Sequence, residues 1–350
     1  MNRIVQRASF QVHLWIGLSI GVYIALLSAT GAILVFRSEL QRATAPALFR
    51  DEHPDAPRAE VSVIVDALRR AYPGHTLVGV DAPWPGRETY LAYETKGDAF
   101  ITVLADPSTG RILGQLPERS VVSRLQDLHE SLLAGSTGRT LNGAGGISLV
   151  VLALTGVVVW WPGRSNWRRT NWQLHRTIGI WMVTLILMWS VTGAAFEFSK
   201  SFRAMMNRLS PLTTAPRVTS DPPGLSAAAA PTVESFIAQA RQASSGAQFV
   251  RVVMPASARA PFLVVMTHDG QTRTLDGSNV DYYYDRYTGK PLLAFDHAPR
   301  TAGDHLMASI APLHIGTFGG IGVKLLWMLC GLSPSLLFVT GAVMWWQRRT

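Results

Sequence analysis

The chain has 350 residues and a formal net charge of +9, and only 16% of its residues are charged, compared with about 25% in an average soluble domain. This composition excludes a wholly soluble protein, because the 48% of hydrophobic residues gather in a few long apolar stretches. The positive charge does not indicate nucleic-acid binding, since no basic cluster with interleaved aromatic residues occurs in the polar segments.

Four stretches of roughly 20 apolar residues predict transmembrane helices, because this length spans a hydrocarbon core about 30 Å thick. The first stretch is longer than the apolar region of a signal peptide, so we expect it to be retained. The predicted order is a cytoplasmic N-terminus with the first helix (1–36), a first extramembrane domain (37–140), a second helix (141–161), a cytoplasmic loop (162–175), a third helix (176–198), a second extramembrane domain (199–320), a fourth helix (321–346) and a cytoplasmic C-terminus (347–350).

The distribution of charge predicts the orientation of these helices. Every Asp and Glu lies in Glu39–Glu130 or Glu197–Asp304. The short remaining segments contain the arginines Arg3, Arg7, Arg164, Arg168, Arg169, Arg176, Arg348 and Arg349. Short positively charged segments stay in the cytoplasm, so both termini are predicted to be cytoplasmic and the two long segments to be translocated. In a bacterial inner membrane these long segments would be periplasmic.

Each long segment has the pattern of a small α+β domain. A helix with one apolar face, at Val61–Tyr72 or Val233–Arg241, comes first. Strand-like stretches follow, and each domain has an Asp-x-x-Thr-Gly turn, at Asp106–Gly110 or Asp285–Gly289. The predicted strands are 76–80, 89–95, 100–104 and 111–113 in the first domain and 249–254, 262–267 and 280–284 in the second. A linker rich in Pro, Ala, Ser and Thr is predicted at 209–231.

The chain also contains an internal repeat. The matched pairs are His13 with His175, Thr30-Gly31 with Thr192-Gly193, Leu128-His129 with Leu313-His314, and Thr155-Gly156 with Thr340-Gly341. Each copy is predicted to cross the membrane from the cytoplasm to the outer side and to return to the cytoplasm. The repeat is therefore parallel, with its pseudo-twofold axis along the membrane normal. We therefore predict a four-helix transmembrane bundle with His13 opposite His175 near the cytoplasm and His129 opposite His314 near the outer side.

Two pairs of histidines favour haem over a bare metal ion. A zinc site generally needs three or four protein ligands, and no Asp, Glu or Cys lies near His13 or His175 to complete one. A haem macrocycle supplies four nitrogens, so two axial histidines complete the iron, and the interior of a helix bundle suits such a cofactor. The alternative is that each histidine is a structural residue at the membrane interface.

Cations near the histidines are candidates for pairing with haem propionates. Arg139 and Lys324 follow the outer histidines, and Arg7 and Arg176 lie near the inner ones. The alternative for all four is that they extend from the span ends to the membrane interface. Glycines near the histidines allow either a flat ring or a neighbouring helix to approach closely. They are Gly17, Gly21 and Gly179 after the inner histidines, and Gly135, Gly138, Gly143, Gly316, Gly319 and Gly320 after the outer ones.

Other redox modules are excluded by the sequence. Cys330 is the single cysteine, so the chain has no disulfide, no Cys-x-x-Cys-His attachment of a c-type haem and no thiolate-bound iron–sulfur cluster. It also lacks a glycine-rich fingerprint for flavin or nicotinamide cofactors. If the protein transfers electrons, we expect them to arrive from a quinol or from a separate cytoplasmic reductase.

These motifs resemble those of the PepSY-associated transmembrane proteins over nearly the whole chain. They are His13-x-x-x-Gly17 with Ser28-x-Thr30-Gly31, the copy from His175 to Gly193, Leu128-His129, Pro312-Leu313-His314 and the two Asp-x-x-Thr-Gly turns. The resemblance implies two b-type haems, with iron at His13/His175 and at His129/His314, and two PepSY-like periplasmic domains. It also implies an inner-membrane ferric-siderophore reductase, in which electrons flow outward to ferric iron.

Two other functions stay open. A transporter for siderophore, haem or metal is consistent with Pro334, which interrupts the fourth apolar stretch, although no acidic residue lies within a span. A regulator of a periplasmic protease is the second alternative, because PepSY domains are also associated with peptidase inhibition. That function would leave the four histidines unexplained.

Overall fold

The structure is a computed structural model that describes residues 3–84, 87–97, 99–161, 170–222, 231–268 and 279–348. Most of the predicted cytoplasmic loop at 162–175 and part of the predicted linker at 209–231 lie outside these residues. The chain divides into two compact units. The helical unit falls within Met1–Arg37, Arg119–Leu212 and Leu306–Thr350, and the sheet unit within Ser38–Glu118 and Thr213–His305.

The helices vary widely in length. In chain order they are α1 (Arg3–Leu34), α2 (Arg37–Thr44), α3 (Val61–Ala71), α4 (Val121–Ser131), α5 (Gly135–Trp160), α6 (Thr170–Glu197), α7 (Ser199–Leu209), α8 (Val233–Ala243), α9 (Ala302–Ile315), α10 (Gly320–Gly331) and α11 (Ser333–Trp346), with a 3₁₀ turn at Pro46–Leu48.

Four helical segments in the described part of the chain are long and apolar enough to cross a membrane. They are Arg3–Leu34, Gly135–Trp160, Thr170–Glu197 and Gly320–Trp346. Large apolar side chains on them face outward: Val22 is 69% exposed, Trp181 76% and Leu329 64%. Such surfaces are unfavourable in water and suited to lipid, so the helical unit has the properties of a membrane domain.

The fourth span, predicted at 321–346 with an interruption at Pro334, is broken into α10 and α11. Helix α10 ends at Gly331, and α11 begins at Ser333 with Pro334 in its first turn. Proline has no backbone N–H and its ring collides with a preceding helical turn, so it is favoured in the first turn of a helix and disfavoured in the interior. The break is therefore a local consequence of Pro334.

The spanning helices pack in a ring, in which α1 and α6 each contact both α5 and α11. Glycines make the contacts close. A Cβ atom on Gly21 would lie 2.1 Å from the ring of Phe338, and one on Gly143 would lie 2.4 Å from the ring of Phe198. At these two positions glycine admits an aromatic side chain, from α11 at Gly21 and from the end of α6 at Gly143, which supports the packing alternative.

The sheet unit contains one antiparallel sheet rather than two separate sheets. Its strands are β1 (Thr76–Asp81), β2 (Tyr90–Lys96), β3 (Ala99–Ala105), β4 (Ile112–Gln115), β5 (Gln248–Val253), β6 (Phe262–Thr267), β7 (Asn279–Tyr284) and β8 (Pro291–Asp296). The order is β4-β3-β2-β1-β5-β6-β7-β8, so β1 and β5 join the two halves. An isolated β1 would leave a row of unpaired backbone groups at an edge, and pairing with β5 satisfies them.

The two segments predicted as extramembrane domains, 37–140 and 199–320, both contribute to the sheet unit. This unit falls within Ser38–Glu118 and Thr213–His305. Helix α4 packs against α1 and α5 and therefore belongs to the helical unit. Within the sheet unit, α3 and α8 contribute the fully buried Ile64, Leu68 and Ile237 to a core with alternate strand residues.

Candidate functional site

The inner histidine pair lies between two spanning helices. His13 of α1 and His175 of α6 have ring centroids 6.3 Å apart and perpendicular ring planes. Nδ1 of His13 is 3.0 Å from the carbonyl oxygen of Leu152 and 3.2 Å from Oγ1 of Thr155. Nδ1 of His175 is 2.9 Å from Oγ1 of Thr340. The structure therefore brings these two histidines together and anchors each ring to a neighbouring helix.

The outer pair lies on short helices rather than on the spans themselves. His129 of α4 and His314 of α9 have ring centroids 6.5 Å apart. Nδ1 of His129 is 3.1 Å from both Oγ1 of Thr30 and the carbonyl oxygen of Leu27, and Nδ1 of His314 is 2.8 Å from Oγ1 of Thr192. This pair repeats the arrangement of the inner pair.

The threonine hydroxyls determine the tautomer of the imidazoles. Each hydroxyl also donates a hydrogen bond to a carbonyl oxygen of its own helix: Thr30 to Leu26, Thr155 to Val151, Thr192 to Met188 and Thr340 to Leu336. Since the hydroxyl proton is used in that bond, the threonine oxygen accepts a bond from the imidazole N–H. We therefore assign the proton to Nδ1, which leaves the lone pair of Nε2 for a ligand.

A glycine follows each of these threonines and makes room for the histidine ring. A Cβ atom would lie 2.8 Å from Cε1 of His129 if built on Gly31, and 3.2 Å from Cε1 of His13 if built on Gly156. The same distance is 3.4 Å from Gly193 to His314 and 3.4 Å from Gly341 to His175. The Thr-Gly repeat was visible in the sequence, but the sequence did not show that each pair holds one histidine.

The outer histidines are held in the neutral state. Burial, reinforced by the nearby His129, lowers the pKa of His314 to about 3. Burial also lowers the pKa of His129, although its hydrogen bond to Leu27 acts in the opposite direction. Neutral imidazole is the form that binds a metal ion, so both rings are in the ligand form at neutral pH.

The two pairs form separate layers along the bundle. Thr30, which contacts the outer pair, follows His13 by 17 residues on α1. Thr192 follows His175 by the same 17 residues on α6. At a rise of 1.5 Å per residue, the layers are about 25 Å apart along these helices, which is close to the thickness of a hydrocarbon core.

Arg139 and Arg176, two of the predicted cations, make contacts with neighbouring protein groups. Arg139 lies 3.4 Å from Glu130 and 4.0 Å from Glu197. The Arg176 guanidinium donates to the carbonyl oxygen of Trp160 and lies 5.3 Å from the Trp160 ring centroid and 5.2 Å from that of Trp172. These contacts fix both side chains without any cofactor carboxylate.

The other two cations lie in different surroundings. Arg7 lines a cleft of about 620 Å³ together with Arg3, Phe10 and Val159. Lys324 is half-buried on α10.

Three residues that the sequence did not single out position the outer histidines. Nδ2 of Asn142 donates to the carbonyl oxygen of His129 at 2.6 Å, and Tyr23 donates to Asn142 at 2.9 Å. Nε1 of Trp327 donates to the carbonyl oxygen of Leu313 at 2.6 Å. Asn142 was a detectable signal, because a lone amide in an apolar span needs a partner. Trp327 looked like an ordinary apolar residue of its helix.

Comparisons with known proteins support one family. A family model described as "PepSY-associated TM region" matches residues 10–348. An uncharacterised protein of Pseudomonas aeruginosa is 27% identical over 257 residues, which are 64% of this chain and 63% of that protein. The chain therefore spans less than two thirds of the length of this relative.

Proposed function

Because the chain belongs to the family of PepSY-associated TM regions, we propose that it is an oxidoreductase that binds two b-type haems and passes electrons across the membrane to ferric iron. The protein is a membrane protein with a soluble α+β part. Its proposed substrate is a ferric-siderophore on the outer side of a bacterial inner membrane, and reduction would release the iron for uptake.

The separation of the two rings in each histidine pair carries the haem proposal. A metal–imidazole bond is about 2.0 Å long and the ring centre lies about 1.1 Å beyond the bound nitrogen, so two axial imidazoles of one iron have centroids roughly 6 Å apart. The observed separations of 6.3 and 6.5 Å fit this value. Both pairs therefore have the donor atoms and the spacing that a six-coordinate haem requires.

The residues of the chain prepare these sites in advance. A bound haem would supply a one-electron iron couple, which the side chains of this protein lack. Thr155 and Thr340 hold the inner rings, and Thr30 and Thr192 hold the outer rings, so Nε2 is the available donor atom in each. Fixing the ring and its tautomer in this way raises the affinity of a histidine for its metal.

The proposed topology places the inner pair near the cytoplasm and the outer pair near the periplasm, with both termini cytoplasmic. The arginine-rich short segments support this orientation. An internal duplication, with two PepSY-like halves in the soluble part, is supported by the order of one helix and four strands in each half and by the fourfold recurrence of the His–Thr-Gly contact. Electrons would then enter from a quinol or a cytoplasmic reductase and leave on the outer side.

Reduction explains how iron would be released. Siderophores bind iron through hard oxygen donors, which hold the smaller, more highly charged ferric ion much better than the ferrous ion. One electron per iron is therefore enough to weaken the complex. The proposed function needs no covalent step on the protein.

A single-turnover experiment tests the function. Purified protein is reduced chemically, freed of excess reductant and mixed without oxygen with a ferric-siderophore in the presence of a ferrous chelator. We expect reoxidation of the protein and formation of the coloured ferrous complex in equal electron amounts. A protein that stays reduced with hydroxamate, catecholate and carboxylate siderophores would contradict the proposal.

Transport of a siderophore, haem or metal is the second candidate, and the break between α10 and α11 supports it. Interrupted helices in transporters expose backbone groups that bind substrate. Uptake of ⁵⁵Fe-siderophore into proteoliposomes that contain no electron donor would favour transport. Uptake or iron release that requires a donor would favour the reductase.

A further inference from the structure

Glu94 has a buried carboxylate, and its Oε2 atom accepts no hydrogen bond from the described residues. The residue lies near the end of β2 and is 2% exposed. His75 lies in the turn between α3 and β1, and its Nδ1 is 3.5 Å from Oε2 of Glu94. Within the described residues, neither of these two atoms has a hydrogen-bond partner.

Leaving Oε2 of Glu94 and Nδ1 of His75 buried without hydrogen bonds is energetically unfavourable unless a positive charge lies between them. A buried carboxylate normally accepts hydrogen bonds or pairs with a cation, because taking its charge out of water carries a large penalty. His75 follows the C-terminal end of α3, where the helix dipole adds negative potential. The pair therefore needs a positive charge, which a proton or a metal ion can supply.

The spacing agrees with a metal ion. With bonds of about 2.0–2.1 Å and a tetrahedral angle, a nitrogen and an oxygen ligand of one zinc ion are about 3.4 Å apart. Nδ1 of His75 and Oε2 of Glu94 are 3.5 Å apart, and both atoms are buried, although 19% of the His75 side chain is exposed. The Tyr72 ring, with its centroid 5.5 Å from that of His75, brings a phenol into the same cluster.

We propose that His75 and Glu94 bind a divalent first-row transition metal such as Zn²⁺, with Tyr72 as a further oxygen ligand and water completing the coordination. Imidazole with carboxylate is a typical donor set for such ions. The site belongs to the sheet unit and uses none of the four histidines of the helical unit. It is therefore independent of the proposed electron transfer.

Equilibrium dialysis of the full-length detergent-purified protein against Zn²⁺, after treatment with a chelator, tests this site. We expect Glu94→Gln and His75→Gln each to bind about one Zn²⁺ fewer per chain than the unsubstituted protein, or to bind it at least tenfold more weakly. His297→Gln is the matched control, because His297 forms an ordinary 2.9 Å contact with Asp281 in the same unit. Equal binding by Glu94→Gln and the unsubstituted protein would overturn the proposal.

Thermal unfolding distinguishes a metal from a proton between the two groups. Without metal, Glu94→Gln should unfold at the same or a higher temperature than the unsubstituted protein, because it loses an unpartnered buried charge. Zn²⁺ should raise the unfolding temperature of the unsubstituted protein alone. If Glu94→Gln is less stable without metal and Zn²⁺ has no effect, Glu94 and His75 stabilise each other directly and the metal proposal fails. The haem content of both proteins should be the same.

Discussion

At the scale of single residues, the number of acceptors at Nδ1 distinguishes the two outer histidines. Nδ1 of His129 has two acceptors, the hydroxyl of Thr30 and the carbonyl oxygen of Leu27, each at 3.1 Å. Nδ1 of His314 has the hydroxyl of Thr192 at 2.8 Å. Removing the threonine hydroxyl should therefore disturb the orientation of the His314 ring more than that of the His129 ring.

Replacing Thr192 by valine removes the hydroxyl and keeps the shape of the side chain. Loss of a hydrogen bond to a metal-binding histidine lowers metal affinity by roughly 10–100-fold, so we expect that loss of haem affinity at the outer site. Thr30→Val is the matched control and should cost less, since Leu27 still orients His129. Transfer of haem to apomyoglobin measures both rates, and equal losses in the two variants would contradict this explanation.

A second pair of variants tests the room that glycine provides. An alanine at 31 would put its Cβ 2.8 Å from Cε1 of His129, which is closer than real Cβ contacts, whereas an alanine at 193 would lie 3.4 Å from His314. We expect Gly31→Ala to displace the His129 ring and lose the outer haem and Gly193→Ala to retain it. Absorption spectra of the purified variants report the haem content. Retention of both haems by Gly31→Ala would show that the ring is not confined there.

At the scale of secondary-structure elements, the two Asp-x-x-Thr-Gly turns hold the strand connections. Oδ1 of Asp106 accepts bonds from the backbone N–H groups of Ser108 and Thr109, at 3.1 and 2.8 Å, and from both hydroxyls. Between β7 and β8, Oδ1 of Asp285 accepts bonds from the backbone N–H groups of Tyr287 and Thr288 and from the Thr288 hydroxyl. Burial alone would raise the pKa of each carboxyl, but these hydrogen bonds outweigh it and lower the pKa.

The sheet unit should therefore lose stability in acid. A folded-state pKa below the unfolded value of about 3.9 means that the folded unit binds fewer protons, so the stabilisation is present above pH 4 and is lost as the pH falls through the folded pKa. Asp106→Asn should make the decline between pH 5 and pH 2 shallower, at the cost of lower stability at pH 7. Urea unfolding monitored by circular dichroism at each pH gives this slope, and an unchanged slope in the variant would rule out Asp106 as a contributor.

Element types were easier to predict than their assembly. The helix at 61–72 and the strands at 76–80 and 262–267 agree closely with α3, β1 and β6, because alternating apolar residues reveal which side faces a core. The pairing of β1 with β5 was not predictable, since it joins strands separated by more than 160 residues. Strand β8 was also missed, because its outward-facing residues give it no clear alternation.

At the scale of the whole molecule, one ion pair bridges the two halves of the sheet. Asp81 of β1 and Arg251 of β5 are register partners at this junction. The Arg251 guanidinium donates to both carboxylate oxygens of Asp81, and its Nη2 lies 2.8 Å from Oδ2. Asp81 is 1% exposed and also accepts a bond from Tyr93. The stability of the junction therefore depends on the buried carboxylate of Asp81 being paired with the guanidinium of Arg251.

Arg251→Met should weaken the junction by roughly 1–3 kcal/mol, which is below the value for a fully buried pair because 45% of the Arg251 side chain is exposed. The buried Asp81 would keep only Arg87, at 3.6 Å, as a cationic partner. Adding Asp81→Asn to Arg251→Met should recover part of the loss. Denaturant unfolding of the unsubstituted protein and the two variants measures this loss, and equal stability of Arg251→Met and the unsubstituted protein would argue against it.

Much of the candidate site was predictable from topology and repetition. Matched histidines in a parallel repeat indicated which rings meet, and His13 does lie beside His175 and His129 beside His314. The anchoring threonines were seen as repeated letters without a role, because His13 and Thr155 are 142 residues apart in sequence. The pairing of Arg139 with Glu130 and Glu197 depends on the packing of α4, α5 and α6, which no local pattern encodes.

We propose that the helical unit binds two haems at two independent histidine pairs. The most direct measurement is haem per chain, from the pyridine haemochrome and the reduced-minus-oxidised spectrum, for the purified protein, His13→Ala and His129→Ala. We predict two b-type haems in the unsubstituted protein and about one in each variant, with different residual spectra. Absence of haem from the unsubstituted protein, or full occupancy in both variants, would contradict the account.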